Sequence, residues 1–178
     1  ISQSQTEESF RSGKRTPIQT AVAKTDYTRK WNQKLSMESG LKYVHSNFTN
    51  DLSVETLQNQ NWIRDPDLSG IFELTEQIAA AYTSFSYQHS SKTQFKLGLR
   101  YEHTLSNLAS ETDPDFINRN YGNFFPSFFV SRQLDASQSL NFSYSKRINR
   151  PTFNQMAPFV LFMDPFTFWS GNSALLPA

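Results

Sequence analysis

With 178 residues, 37% of them apolar and 19% charged, the chain is long enough for one domain with a core and too apolar for a disordered segment. A formal net charge of +1 supplies neither a basic stripe nor an acidic tail, so no nucleic-acid partner is expected. Cysteine is absent, which excludes disulfides, a thiolate nucleophile and a cysteine-built zinc site. No apolar run approaches the roughly 18 to 20 residues of a membrane helix. A transmembrane barrel stays open, because a polar lumen face brings its mean hydropathy down to that of a water-soluble protein. Phe, at 16 residues against 7 Tyr and 3 Trp, favours strands.

Residues 1–15 are rich in Ser, Gln and charge without periodicity, and read as a loop or the tail of a missing strand. Over 16–28, Ile18, Thr20, Val22 and Lys24 alternate with Gln19, Ala21, Ala23 and Thr25, which predicts a strand. A turn at 30–33 leads into 34–46, where Leu35, Met37, Ser39, Leu41 and Tyr43 share one face and Ser36, Glu38, Gly40 and Lys42 the other. Together these predict a hairpin. Residues 47–70 are a polar excursion carrying Trp62 and Ile63, too long for a tight turn. At 71–88 the pattern returns, with Ile78, Ala80 and Tyr82 on one face and Ala79, Ala81, Thr83, Phe85 and Tyr87 on the other.

After a turn at 89–92 comes the clearest strand, 93–104. Phe95, Leu97, Leu99 and Tyr101 alternate there with Gln94, Lys96, Gly98, Arg100 and Glu102, so one face is apolar and the other charged. Another polar loop, 105–122, carries Glu111, Asp113, Pro114 and Asp115. A strand over 123–132 sets Phe124, Phe128 and Val130 against Phe125, Ser127, Phe129 and Ser131, with Pro126 where an edge or rim tolerates it. Past a short turn at 133–138, residues 139–147 place Leu140, Phe142 and Tyr144 against Ser139, Asn141, Ser143 and Ser145. The alternation ends there; 149–178 holds four prolines and an aromatic run from Phe159 to Trp169.

Connections along the chain therefore run short, long, short, long. That rhythm predicts an all-β fold of antiparallel up-and-down strands from a transmembrane β-barrel, which has tight periplasmic turns and extended outer loops. The clean strands also reach the roughly 9 to 11 residues that a tilted strand uses to cross hydrocarbon. About six strands fall short of the roughly 8 in the smallest membrane barrels, and an open sheet in lipid leaves edge N–H and C=O groups unpaired. Residues 1–178 are thus expected to be a single, incomplete segment of a barrel domain, a piece of a longer protein, with long loops at 47–70, 105–122 and 149–178. The alternative is a soluble all-β ligand-binding or adhesion module. For the isolated chain, a soluble arrangement with the apolar face turned inward is part of that expectation.

Ser145-Lys146-Arg147-Ile148-Asn149-Arg150-Pro151-Thr152-Phe153, then Ala157-Pro158-Phe159, Asp164-Pro165-Phe166-Thr167-Phe168 and Gly171-Asn172-Ser173-Ala174-Leu175, resembles the mid-barrel signature of TonB-dependent outer-membrane receptors, in the branch described as an outer membrane β-barrel family. Looser agreement extends through 77–87 and 97–103, so the resemblance covers most of 70–178. The family pattern has Pro after Gly-Asn and then Leu-Lys-Pro-Glu, where this chain carries Ser173, Leu176 and Ala178. The resemblance implies energised uptake of a bulky nutrient across the outer membrane of a Gram-negative bacterium. Implied partners are outer-membrane lipid, the remainder of the receptor barrel, a plug and the TonB system. The family's plug and TonB box are not among these residues.

No catalytic constellation stands out, no Gly-x-Ser-x-Gly elbow or phosphate loop occurs, and neither enzyme activity nor a cofactor is expected. His45, His89 and His103 lack the paired spacing of a metal site and read as polar or interfacial residues. Glu111, Asp113 and Asp115 offer oxygens to calcium without the spaced ligands of an EF-hand loop, and solvated loop charge is the better reading. Asp65 and Asp67 around Pro66 read as a turn. Lys96, Arg100, Glu102 and Asn141 are expected to line a lumen, and Tyr43, Tyr87, Tyr101 and Tyr144 suit interfacial girdles. Candidate ligand contacts are Trp62, placed to stack on a sugar or aromatic ligand, and Arg100, Arg147 and Arg150, placed to meet an anionic group. Packing of Trp62 under its own loop and solvation of the arginines at a rim are the competing readings.

Overall fold

Period-two alternation places side chains on two opposite faces, and strands built that way pair edge to edge. The computed structural model describes residues 9–111, 113–114, 116–156, 160–164 and 167–178. Its strands are β1 (Phe10–Arg15), β2 (Ile18–Lys30), β3 (Leu35–Gln58), β4 (Asn61–Arg64), β5 (Gly70–Ser90), β6 (Thr93–Ser110), β7 (Ile117–Gln133) and β8 (Ser139–Ser145). A one-turn helix α1 (Phe153–Met156) and a small hairpin of β9 (Val160–Asp164) and β10 (Thr167–Ser170) follow.

β1 and β2 pair with successive parts of β3, Phe10↔Thr56 to Arg15↔Asp51 and Ile18↔Phe48 to Lys30↔Ser36. They act as one strand interrupted at Pro17, which has no N–H for the ladder, although its carbonyl still accepts from the Thr49 N–H at 3.2 Å. From there the sheet meanders antiparallel through β3, β5, β6, β7 and β8, and it is not closed. The short connections after β2, β5 and β7 fall at one end. In the first, Asn32 Oδ1 accepts from the Lys34 and Leu35 N–H groups at 2.8 Å each. In the third, Asp135 Oδ1 accepts from Ser137 and Gln138. Both are side-chain-capped turns of the kind Asn and Asp favour.

The register sorts the faces. Leu41, Ala81, Tyr101 and Phe124 lie in one row pointing outward, and Gly40, Tyr82, Arg100 and Phe125 in the next pointing inward. Leu41, Leu97, Phe124 and Phe142 stand on the outward face and are exposed, Leu97 at 55%. The expectation that an isolated chain folds its apolar face inward is therefore corrected: the apolar face is the outer one. A sheet of this width without a second sheet has nothing to cover that face except lipid.

Beyond this belt, toward the long connections, the polarity of the two faces exchanges. On β3 the outward residues become Asn47, Thr49, Asp51 and Ser53, while the inward ones become Phe48, Leu52 and Val54 with the buried Asn50 among them. There Leu52, Val54, Leu74 and Leu108, all 3% exposed or less, form a core with Phe153 and Met156 of α1. Outside hydrocarbon the outer face meets water, so apolar side chains gain only by turning inward.

This exchange explains the misjudged loops. The expected loop at 47–70 is mostly strand: β3 runs on to Gln58, turns through Asn59 and Gln60 at positive φ (50° and 67°), and returns as β4. The expected loop at 105–122 shrinks likewise, because β6 reaches Ser110 and β7 begins at Ile117. Within the expected tail at 1–15, β1 is a strand against β3, while residues 1–8 lie outside those described. In the expected loop at 149–178, residues 149–156 turn back across the inner face and carry α1, and the hairpin of β9 and β10 follows, rather than a featureless loop. Asp65, as expected, closes a turn, its Oδ1 accepting from the Asp67 and Leu68 N–H groups at 2.9 and 3.2 Å.

Candidate functional site

Inward side chains between the short turns and the apolar cap are charged and hydroxylated. Across the register, Lys24, Lys42, Ala80 and Glu102 form one row, Asp26, Gly40, Tyr82 and Arg100 the next, and Thr28, Glu38, Ser84, Gly98 and Ser127 the third. Lys24 pairs with Asp26 at 2.8 Å, and Asp26 also accepts from the Tyr82 hydroxyl. Tyr82 lies over Gly40, where any Cβ would run into its ring. Lys96 stands 4.0 Å from Glu38. Lys42 has no carboxylate partner among the described residues.

Glu102 is the anchor of this face. Only 5% exposed, it accepts from Arg100 beside it and from Arg150 at 2.6 Å. Arg150 also reaches Thr104 Oγ1 at 3.3 Å, while its Nε is buried without a partner. The buried carboxylate is thus held by two guanidiniums, one from the wall and one from the segment lying across it. Such pairing is what permits a charge to be buried.

A cavity of about 470 Å³ opens on this face among Lys24, Lys42, Lys96, Arg100, Glu38 and Tyr82. A second, of about 540 Å³, shares Phe125 with the first and lies among Arg119, Tyr121, Asn123, Lys146 and Arg147. Arg119 is engaged by the return segment, donating to the Ser173 carbonyl at 2.9 Å and to Met156 Sδ at 3.2 Å. Chemically, this is a wall of ammonium, guanidinium and hydroxyl donors with a few acceptors, suited to noncovalent contact with polar or anionic groups.

The four candidate contacts divide. Arg100 and Arg150 meet on Glu102, and Arg147 lines the neighbouring cavity. Trp62 is elsewhere: paired with Leu57 on β4, it projects to the outer side of the sheet, half-exposed under the Arg11 guanidinium at 4.6 Å. Its register, set by the turn at Asn59 and Gln60, was hidden while 47–70 read as a loop. Lys96, Glu102 and Asn141 share the inward face with Arg100. Tyr82 and Asp26 were not singled out from the sequence, although the continued alternation Asp26, Gly40, Tyr82, Arg100 across four strands was the available signal.

The histidines stay apart from one another. His45 and His103 point outward on strands separated by β5, and His89 packs against Tyr87 and Phe95 beside a short turn. Among the described residues no three His, Asp or Glu side chains form a metal-sized group; Asp115 lies outside those residues. Tyr43, Tyr87, Tyr101 and Tyr144 all face outward, Tyr144 opposite Phe128 within the apolar face. The model of the outer membrane protein β-barrel family matches residues 1–178. No curated protein and no solved structure matches the chain.

Proposed function

The chain belongs to the outer membrane protein β-barrel family, and from that premise we propose that it forms part of the wall of a TonB-dependent receptor. In this reading the receptor takes up a bulky nutrient in a Gram-negative cell. The observation that carries the proposal is the width the inner face demands. An eight-stranded barrel has an interior just filled by side chains, whereas here an entire stretch of backbone, 149–156, packs inside the wall through Phe153, Met156 and Arg150. A lumen that holds main chain belongs to a much wider barrel, and the two unpaired edges of the sheet leave room for the further strands of one.

The wall's part in uptake is passive. Lys96 and Arg100 offer donors to a polar or anionic cargo along the lumen, Arg147 and Arg150 do so near its outer mouth, and Trp62 stands on the outer extension. A plug and the TonB system supply gating and energy. No covalent step is assigned to this chain.

Fractionation of the source cells, with a blot against this segment, tests the reading. A band much larger than 20.5 kDa in the outer membrane is expected. Removing the energy-coupling protein should then abolish uptake and leave surface binding of the nutrient intact. Uptake that persists would leave the barrel standing and remove the receptor.

A further inference from the structure

The end of the sheet with the short turns carries a charge pattern that the lumen does not explain. Arg29 and Arg132 end the outward faces of β2 and β7, Lys34 and Lys92 sit in the first two turns, and Lys30 closes β2. All five are exposed, and among the described residues none is paired with a carboxylate. Elsewhere several basic side chains do meet a carboxylate, Arg11 with Glu55, Arg64 with Asp51, Lys24 with Asp26, Lys96 with Glu38, and Arg100 and Arg150 with Glu102. The carboxylate of Asp135 at this end accepts instead from its own turn, from the Ser137 N–H at 2.8 Å, its hydroxyl at 2.9 Å and the Gln138 N–H at 2.9 Å.

A second observation fixes the depth of these cations. Beside the turns on the outward face lie Trp31, stacked on Phe85 at 6.2 Å, with Tyr87 and Phe95, and Arg29, which starts one row deeper on β2, carries its guanidinium back over the Trp31 ring at 5.8 Å. Aromatic rings backed by Lys and Arg mark the level where hydrocarbon gives way to headgroups. Short turns face the periplasm in such barrels, so the cations stand at the phosphates of the inner leaflet.

We propose that this rim is a binding site for anionic phospholipid headgroups of the periplasmic leaflet, with Arg29, Lys34, Lys92 and Arg132 as its contacts. Each basic side chain near a membrane surface raises affinity for anionic lipid by roughly fivefold. The inference rests on the family's membrane location and is independent of what the barrel transports.

To test it, the full-length protein is reconstituted in phosphatidylethanolamine bilayers containing a minor fraction of phosphatidylglycerol. Lipid retained after mild-detergent extraction is then quantified by mass spectrometry. Phosphatidylglycerol should be retained several-fold above its bilayer fraction, fall to that fraction in a variant combining Arg29→Gln, Lys34→Gln, Lys92→Gln and Arg132→Gln, and stay enriched in Arg64→Gln. The turn substitutions Lys34→Gln and Lys92→Gln alone, which leave every strand intact, should give an intermediate loss should the combined variant not assemble. Equal retention in wild type and variants would overturn the site. Displacement by an equal concentration of inorganic phosphate would overturn the headgroup and leave a free-phosphate contact.

Discussion

Glu102 shows how one side chain ties the wall to the segment that crosses it. Converting it to Gln leaves Arg100 and Arg150 facing each other with no negative charge between them. Because Glu102 is buried and Arg150 only a quarter exposed, the expected cost is about 3 kcal/mol. Glu102→Gln should therefore lower the temperature at which the barrel loses compact migration on gels, and it should open 149–156 to protease. The Lys96 and Glu38 pair is half-exposed on both sides, so Lys96→Ala should change stability by less than about 1 kcal/mol. Inside and outside are tested by exchanging characters across one strand. Leu97→Arg places a charge in lipid at about 2 to 4 kcal/mol and should reduce outer-membrane assembly, whereas Arg100→Leu should not. Equal tolerance of the two would reverse the assignment of the faces.

At the scale of elements, the extended ends of the strands and the return segment stabilise each other. Phe153 and Met156 close an apolar surface formed by Leu52, Val54, Leu74 and Leu108, and without them that surface would face water. Phe153→Ala should cost about 3 to 4 kcal/mol, seen as earlier release of 149–156 in limited proteolysis while the membrane belt keeps its strand signal. The turn between β7 and β8 depends on pH. The N–H and then the hydroxyl of Ser137, with the Gln138 N–H, hold the Asp135 carboxyl below the ordinary range. A folded value below the unfolded one makes this contribution fully present above about pH 4 and lost as pH falls through the folded value. Amide protection at Ser137 and Gln138 should drop over that acidic window, and in Asp135→Ala it should be low at every pH.

Taken whole, the described residues form an open sheet with an apolar outer face, a charged inner face and two unpaired edges. Each unpaired N–H or C=O at an edge costs several kcal/mol in hydrocarbon, so the 178-residue chain expressed by itself should not insert as a heat-modifiable barrel in detergent or lipid. The full-length protein should. A compact inserted species formed by the short chain would mean that the edges close on each other or on a second copy, and cross-linking of β2 to β8 within or between chains would distinguish these.

The membrane part of this wall was legible in the sequence because lipid outside and water inside impose opposite demands on alternate residues. Phe95 to Tyr101 and Leu140 to Tyr144 declared their faces by period alone. Where strands leave the membrane that contrast vanishes and then reverses, and Asn47 to Ser53 looked like a polar loop while Phe48, Leu52 and Val54 were already alternating inward. Residues such as Lys96, Arg100 and Glu102 were assignable to the lumen from their own strand. The meeting of Arg150 with Glu102, the contact of Tyr82 with Asp26 and the outward position of Trp62 depend on pairing between segments far apart in the chain. Only the tertiary structure decided these, because register across strands and the path of 149–178 arise from packing between distant segments rather than from local periodicity.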